Sequence, residues 1–252
     1  FLFFSIISQH LTPVQKFYYI SCLDYWCGGK ALTLEKLKKV VIVGSGSMGH
    51  GIAEMLAMNG IEVTMIDIND ELLKKAEEKI RWSLDKFVEK KRIRREDADA
   101  TMSRIHTSTS YEQAAKDIDL AVEAVPENID LKKKVFSTLD SSAPPNAILA
   151  SNTSTLSITE MGKATKRPDK VAGMHFFNPP QLMKLIEIVR GAKTSDETIQ
   201  TIMVVAKKME KETVLVKKDS PGFIVNRILI PALNEAVALH WEGVADRDDI
   251  DK

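Results

Sequence analysis

Short apolar runs alternate with longer segments of helical period along most of this chain. Val40–Val43 is an unbroken apolar run, and Val63–Ile66, interrupted only by Thr64, is a second strand. The segment His50–Asn59 between them has helical spacing, as does Asp70 to about Lys91, where Leu72, Leu73, Ala76, Ile80, Leu84, Phe87 and Val88 recur at three- and four-residue intervals. Further helices are predicted over Arg95–Met102 and Ile129–Leu139, the latter closed by Pro144-Pro145-Asn146. Further strands are predicted at Ile105–Thr107, Leu120–Val125, Ala147–Ala150, Val171–His175, Lys184–Val189 and Val214–Val216. Thr194-Ser195-Asp196-Glu197 has capping-box spacing ahead of one more helix. Strands that alternate with helices in this way predict an α/β protein with a mostly parallel sheet.

Two stretches depart from the alternation. Residues 1–30 are aromatic-rich and fit neither period, and they read as a poorly ordered extension or as sequence upstream of the true start. The opening FLFFSII run is too short to span a bilayer and lacks the basic flank of a signal peptide. At the other end, Asp219-Ser220-Pro221-Gly222 marks a boundary, because proline suits the first turn of a helix. From Phe223 to Leu239 the chain is apolar at helical spacing, broken by Pro231. The expected organisation is an extension (1–38), an α/β domain (39–219) and the unfinished beginning of an all-helical second domain (220–252).

Composition narrows the partners. In 252 residues, 35 Lys plus Arg balance 35 Asp plus Glu, so net charge offers no argument for nucleic acid or an acidic membrane. The two cysteines, Cys22 and Cys27, both lie in the extension, which excludes a disulfide framework and favours a reducing cytoplasm. The five histidines are dispersed and no metal-ligand spacing occurs, so no metal is expected.

The candidate chemistry begins where the first strand ends. Gly44-Ser45-Gly46-Ser47-Met48-Gly49 is G-x-G-x-x-G between a predicted strand and a predicted helix. Gly44 permits the tight turn, Gly46 lets backbone approach a pyrophosphate, and Gly49 lets helix pack closely on strand. The helix N-terminus then offers free N–H groups to the phosphates. Asp67 ends the next strand, 18 residues past Gly49. A carboxylate about 20 residues on binds the ribose 2′-hydroxyl of NAD and repels the 2′-phosphate of NADP. The pattern predicts a Rossmann-type doubly wound sheet with NAD as cofactor.

Further along, His175 closes an apolar strand and Glu187 sits among the aliphatics of the next. A carboxylate there is costly unless paired. The short connection between the strands allows Glu187 to sit beside His175, fix its tautomer and leave the second nitrogen as a general base; alternatively the two occupy separate surfaces. Ser154, after the strand ending at Ala150, either bonds a substrate oxygen or caps the helix starting near Ser157. Asn226 is either a substrate donor or a helix–helix hydrogen bond. Basic residues on the long helix read first as a solvated face.

The strings VVIVGSGSMGHGIAEMLAMNG, AVEAVPEN, ASNTSTLSIT, HFFNPP, KLIEIV and DSPGFIVNR occur in an order and spacing that resembles the L-3-hydroxyacyl-CoA dehydrogenases, over about Lys39 to Lys252. The resemblance implies NAD-dependent oxidation of a 3-hydroxyacyl-CoA, with His175 as base, Glu187 as its orienting carboxylate, and Ser154 and Asn226 holding the substrate's C3 oxygen and thioester region. It implies cofactor contacts at Gly44, Gly46, Gly49, Asp67, Glu127, Lys132 and Asn178, and contacts to the CoA at Ser83 and Lys90. A homodimer built on the second domain is implied for the complete protein. A 6-phosphogluconate-type dehydrogenase, a relative acting on a free sugar acid, and a dinucleotide-binding fragment without turnover are the alternatives.

Overall fold

The computed structural model describes Leu37 and residues 39–252. The rest of the expected extension, with Cys22 and Cys27, lies outside the described residues. Eight strands form one sheet: β1 (Lys39–Val43), β2 (Glu62–Ile66), β3 (Ile105–Ser108), β4 (Leu120–Glu123), β5 (Ile148–Ser151), β6 (Val171–Phe176), β7 (Leu185–Arg190) and β8 (Glu212–Val216). Their spatial order is β3-β2-β1-β4-β5-β6-β7-β8. The order reverses between β1 and β4, which is where open α/β sheets bind ligands.

β1 to β6 are mutually parallel, each pair joined through helical or long connections. β7 pairs antiparallel with β6, and β8 then pairs parallel with β7, so the last two strands run against the rest. The reason is connection length. A parallel crossover needs about a dozen residues or more, and only Phe177–Lys184 separates β6 from β7.

Helices cover both faces: α1 (Gly49–Met58), α2 (Asp70–Glu89), α3 (Arg95–Ser103), α4 (Tyr111–Ala114), α5 (Ile129–Ser142), α6 (Ile158–Gly162) and α7 (Asp196–Lys208). Successive strand residues point to opposite sides. Val40 and Ile42 accordingly join a core with Ile52, Leu56, Leu73, Ile80 and Ile202, while Val41 and Val43 join one with Phe136, Leu139, Ile158 and Met161. The doubly wound architecture follows.

Two details of capping differ from expectation. α7 is capped by Ser195, whose hydroxyl accepts from Thr198 N–H, whereas Thr194 donates its hydroxyl to the Val171 carbonyl and takes no part in a box with Glu197. α6 is capped by Ser157 rather than Ser154. Beyond β8, α8 (Val225–Trp241) runs without interruption through Pro231, and α9 (Arg247–Ile250) follows. α8 has no buried residue; Ile228, Leu233, Val237 and Trp241 are all exposed. Among the described residues no helix is long and apolar enough to cross a membrane.

Candidate active site

The glycine loop has the shape a diphosphate requires. Gly44 has φ of +95° and donates its N–H to the Ile66 carbonyl at 2.8 Å. A Cβ on Gly49 would lie 1.8 Å from the Gly44 carbonyl oxygen, whereas one on Gly46 would meet nothing within 4 Å. The first and third glycines therefore serve the protein's own packing, and the second faces open space. α1 carries no side-chain N-cap and no acidic residue in its first turn, so the Gly49 and Gly51 N–H groups and the positive dipole end remain available, while His50 N–H donates to the Gly46 carbonyl at 3.3 Å. Asp67 is held at the loop: its Oδ2 accepts from Ser45 N–H (2.7 Å) and Ser45 hydroxyl (2.6 Å), and its Oδ1 from Ile68 N–H (2.7 Å). A dinucleotide fits this set of groups.

His175 and Glu187 are register partners on β6 and β7. His175 Nδ1 lies 2.6 Å from Glu187 Oε2, and both side chains are buried. Glu187 Oε1 accepts two backbone N–H groups, from Ile224 (2.9 Å) and Val225 (3.0 Å) at the start of α8. Burial pushes the Glu187 carboxyl up, but the bond to His175 and the two N–H donors outweigh it and hold the carboxyl below its ordinary value. An ionised Glu187 is acceptor-only, so Nδ1 carries the imidazole proton and Nε2 keeps a free lone pair. Phe177 and Phe223 flank the imidazole, with ring centroids 4.7 and 5.7 Å away.

Between the cradle and this pair lies a second network, at the ends of β4 and β5. Lys132, 1% exposed, places its ammonium 2.7 Å from Glu123 Oε1, 3.1 Å from the Val125 carbonyl and 3.3 Å from Glu127 Oε2. Its three donors thus have three protein acceptors. Glu127 Oε1 accepts from Ser154 N–H (3.0 Å), Thr155 N–H (3.3 Å) and the Thr153 hydroxyl, fixing the loop that carries Ser154. Burial pushes Glu127 up, and these donors together with Lys132 bring it below its ordinary value. Glu123, given no role by the sequence reading, is the buried carboxyl beneath: it accepts from Lys132, from Val125 N–H and from the Ser151 hydroxyl, and burial outweighs these partners and holds it above its ordinary value. The signal that exposes Glu187, a carboxylate in a strand of buried aliphatics, is equally present in Leu120–Val125.

Neither the Ser154 hydroxyl nor the Asn226 amide forms a hydrogen bond among the described residues, and both are half-buried. The capping and interhelix alternatives for these two side chains are thus not taken up here. Asn178 is exposed on the connection after β6. Ser83 and Lys90 are not brought to one surface. Ser83 lies on the inward face of α2 with Ile80 and Leu84 and donates to Glu54 Oε1 at 2.6 Å, while Lys90 is exposed past the end of the helix. No group of three or more His, Cys, Asp or Glu side chains suited to a metal occurs among the described residues.

A doubly wound sheet with a glycine cradle at its switch point, an acidic residue ending the second strand and a buried His–Glu pair at the same edge define a dinucleotide-binding protein of Rossmann type. The family model described as the NAD-binding domain of 3-hydroxyacyl-CoA dehydrogenase matches residues 39–220, and that for its C-terminal domain matches 222–252. A probable 3-hydroxybutyryl-CoA dehydrogenase of Bacillus subtilis is 42% identical over 217 residues, covering 86% of this chain and 75% of the relative. The mitochondrial hydroxyacyl-coenzyme A dehydrogenase of Homo sapiens is 41% identical over 220 residues, covering 85% and 70%. The crystal structure of (S)-3-hydroxybutyryl-CoA dehydrogenase from Ralstonia eutropha superimposes with a TM-score of 0.82 at 41% identity, covering 85% of this chain and 75% of that one. The chain belongs to the 3-hydroxyacyl-CoA dehydrogenase family, and its residues 39–220 are that family's NAD-binding domain.

Proposed function

We propose that this protein interconverts an L-3-hydroxyacyl-CoA and the 3-ketoacyl-CoA with NAD as cofactor, and that the His175–Glu187 pair is its general base. The observation that carries the reading is the 2.6 Å contact between His175 Nδ1 and a Glu187 already committed to two backbone N–H donors. In the oxidising direction His175 Nε2 takes the proton of the C3 hydroxyl, and the imidazolium formed faces an ionised Glu187. The unpaired Ser154 hydroxyl and Asn226 amide hold the oxygen on which charge changes. NAD⁺, when bound, supplies the hydride acceptor. Gly46 gives its diphosphate a close approach in the loop that Gly44 and Gly49 shape, and Asp67 holds its ribose, with Asn178 beside the nicotinamide end. Glu127 and Lys132 support this cofactor edge by ordering the Ser154 loop. The acyl-CoA is the substrate, with Lys90 available to a CoA phosphate.

The test is acetoacetyl-CoA reduction followed by NADH absorbance, beside an NADH titration. Turnover is expected. A second reading, dinucleotide binding without turnover, is favoured by the apolar surface that α8 leaves exposed. NADH binding with no reduction of acetoacetyl-CoA would select that reading. The same surface suits a second copy, and a homodimer is the expectation for the complete protein, read by sedimentation.

A further inference from the structure

We propose that Phe223 is a positioning residue for the His175 imidazole. The inference rests on the role of His175 in the proposed reaction and extends it to the segment between β8 and α8. Gly222 has φ of +75° and Phe223 itself has φ of +48°. A bulky aromatic in the left-handed region is a genuine outlier, and such backbones persist where their surroundings over-determine them. The surroundings are visible here. Ahead of Phe223, Asp219 Oδ2 accepts from the Ser157 hydroxyl (2.6 Å) and Thr159 N–H (2.8 Å), and Phe223 N–H donates to the Ser220 carbonyl at 3.0 Å. Behind it, Ile224 and Val225 donate to Glu187. The chain is pinned on both sides of one strained residue.

What the strain accomplishes is the placement of a ring. Phe223 is 4% exposed, and its ring lies 5.7 Å from the His175 centroid, tilted by 58°. Phe177 stands 4.7 Å from the same imidazole at 52°. Two aromatic walls and one carboxylate therefore set the imidazole's rotamer. A right-handed backbone at Phe223 would redirect its side chain away from this wall. The ring also keeps water from the Nδ1–H···Oε2 bond, which is stronger where the local dielectric is low. Glu187 joins the two functions, because the carboxylate that orients the imidazole also fastens the residues after Phe223.

The experiment compares the full chain with Phe223→Ala and Phe223→Leu. Phe223→Leu keeps most of the buried volume and carries the test if Phe223→Ala does not fold. The first readout needs no turnover: the low-field proton resonance of His175 Nδ1, assigned by its loss in Glu187→Gln. It is expected in the parent chain and expected to broaden into exchange with water in both variants. The second is acetoacetyl-CoA reduction with NADH and with NADH deuterated at the transferred position. kcat should fall about 10- to 100-fold, as a displaced catalytic group predicts. The acyl-CoA KM and NADH Kd should stay within about threefold while the primary isotope effect rises, because the chemical step has become slower. A merely structural role would lower the active fraction and leave the isotope effect unmoved. That outcome, a resonance absent from the parent chain, or one retained unchanged in both variants overturns the proposal. A parent chain without turnover refutes the proposed reaction, and the resonance still decides the role of Phe223.

Discussion

Two helices begin at the same edge of the sheet and treat their N-termini in opposite ways. α1 has no side-chain cap and no acidic residue in its first turn, and Gly46 in the loop before it faces open space. α8 also supplies no cap of its own, yet its first N–H groups are taken by Glu187 from β7. The physics is common to both, since unsatisfied N–H groups and a positive dipole end favour an anion. At α1 the anion is left to come from a ligand. At α8 it is built into the protein, and its second oxygen orients His175. Under the proposed function, the open terminus is the binding site and the filled one connects a helix to the chemistry.

The largest effect is expected from disturbing the filled end. The Glu187 carboxylate receives three N–H donors, from Ile224, Val225 and His175. An amide in its place has one acceptor oxygen, so its NH₂ must face either the helix or the imidazole. Facing the imidazole, it would make Nδ1 an acceptor and move the proton to Nε2, removing the base. Glu187→Gln should therefore lower kcat by about 10²–10⁴-fold with NADH affinity nearly unchanged. Wild-type turnover in that variant would sink the assignment. His175→Ala should fall in the same range.

A third buried carboxylate sharpens what the filled end achieves. Glu54 on α1 is fully buried and, among the described residues, receives only the Ser83 hydroxyl and leaves its Oε2 without a partner. Burial pushes it up to about 7 from the ordinary 4.5, whereas Glu187, with three donors, is held down. The two contribute to stability with opposite signs. Between pH 4.5 and about 7 the folded chain binds a proton at Glu54 that the unfolded chain has lost, so stability falls as pH rises through that window. The stability due to Glu187 is present above 4.5 and lost as pH falls through its lowered folded value. A shift of the Glu54 size corresponds to about 3 kcal/mol. Glu54→Gln should stabilise the fold by up to about that amount at pH 8 and far less at pH 5, read from urea unfolding. Equal effects at both pH values would remove Glu54 as the titrating group.

The difference between the two helix starts also explains what could be read from sequence. The α1 end is a local motif: strand, three glycines and helix lie within one continuous stretch, and Asp67 follows at a fixed distance. Its fold and its ligand class are both legible. The α8 end is assembled from β6, β7 and the segment after β8. Its His–Glu contact is anticipated by the cost of burying Glu187, but the N–H donors of Ile224 and Val225 are not, because backbone groups leave no mark in a sequence. Phe223 is unremarked for the same reason: in an apolar helical run it looks like core, and only its φ sets it apart. The reversed direction of β7 was available from the short β6–β7 connection. The inward turn of Ser83 was available from its spacing to Ile80 and Leu84.

The smallest effect is expected at the open end, and it isolates the ligand from the fold. A Cβ at Gly46 meets no atom of the described residues within 4 Å, and Gly46 is not among the glycines with positive φ. Nothing in the chain itself therefore requires glycine there. Gly46→Ala should leave unfolding stability within about 0.5 kcal/mol. If the space belongs to a diphosphate, the added methyl prevents its close approach to the backbone and NADH affinity falls by about tenfold, or about 1.4 kcal/mol. The low-field proton of His175 should be untouched, since the pair lies on other strands. Undiminished NADH binding in Gly46→Ala would mean that the open N-terminus of α1 is not where the diphosphate sits, and the contrast between the two helix ends would lose its functional meaning.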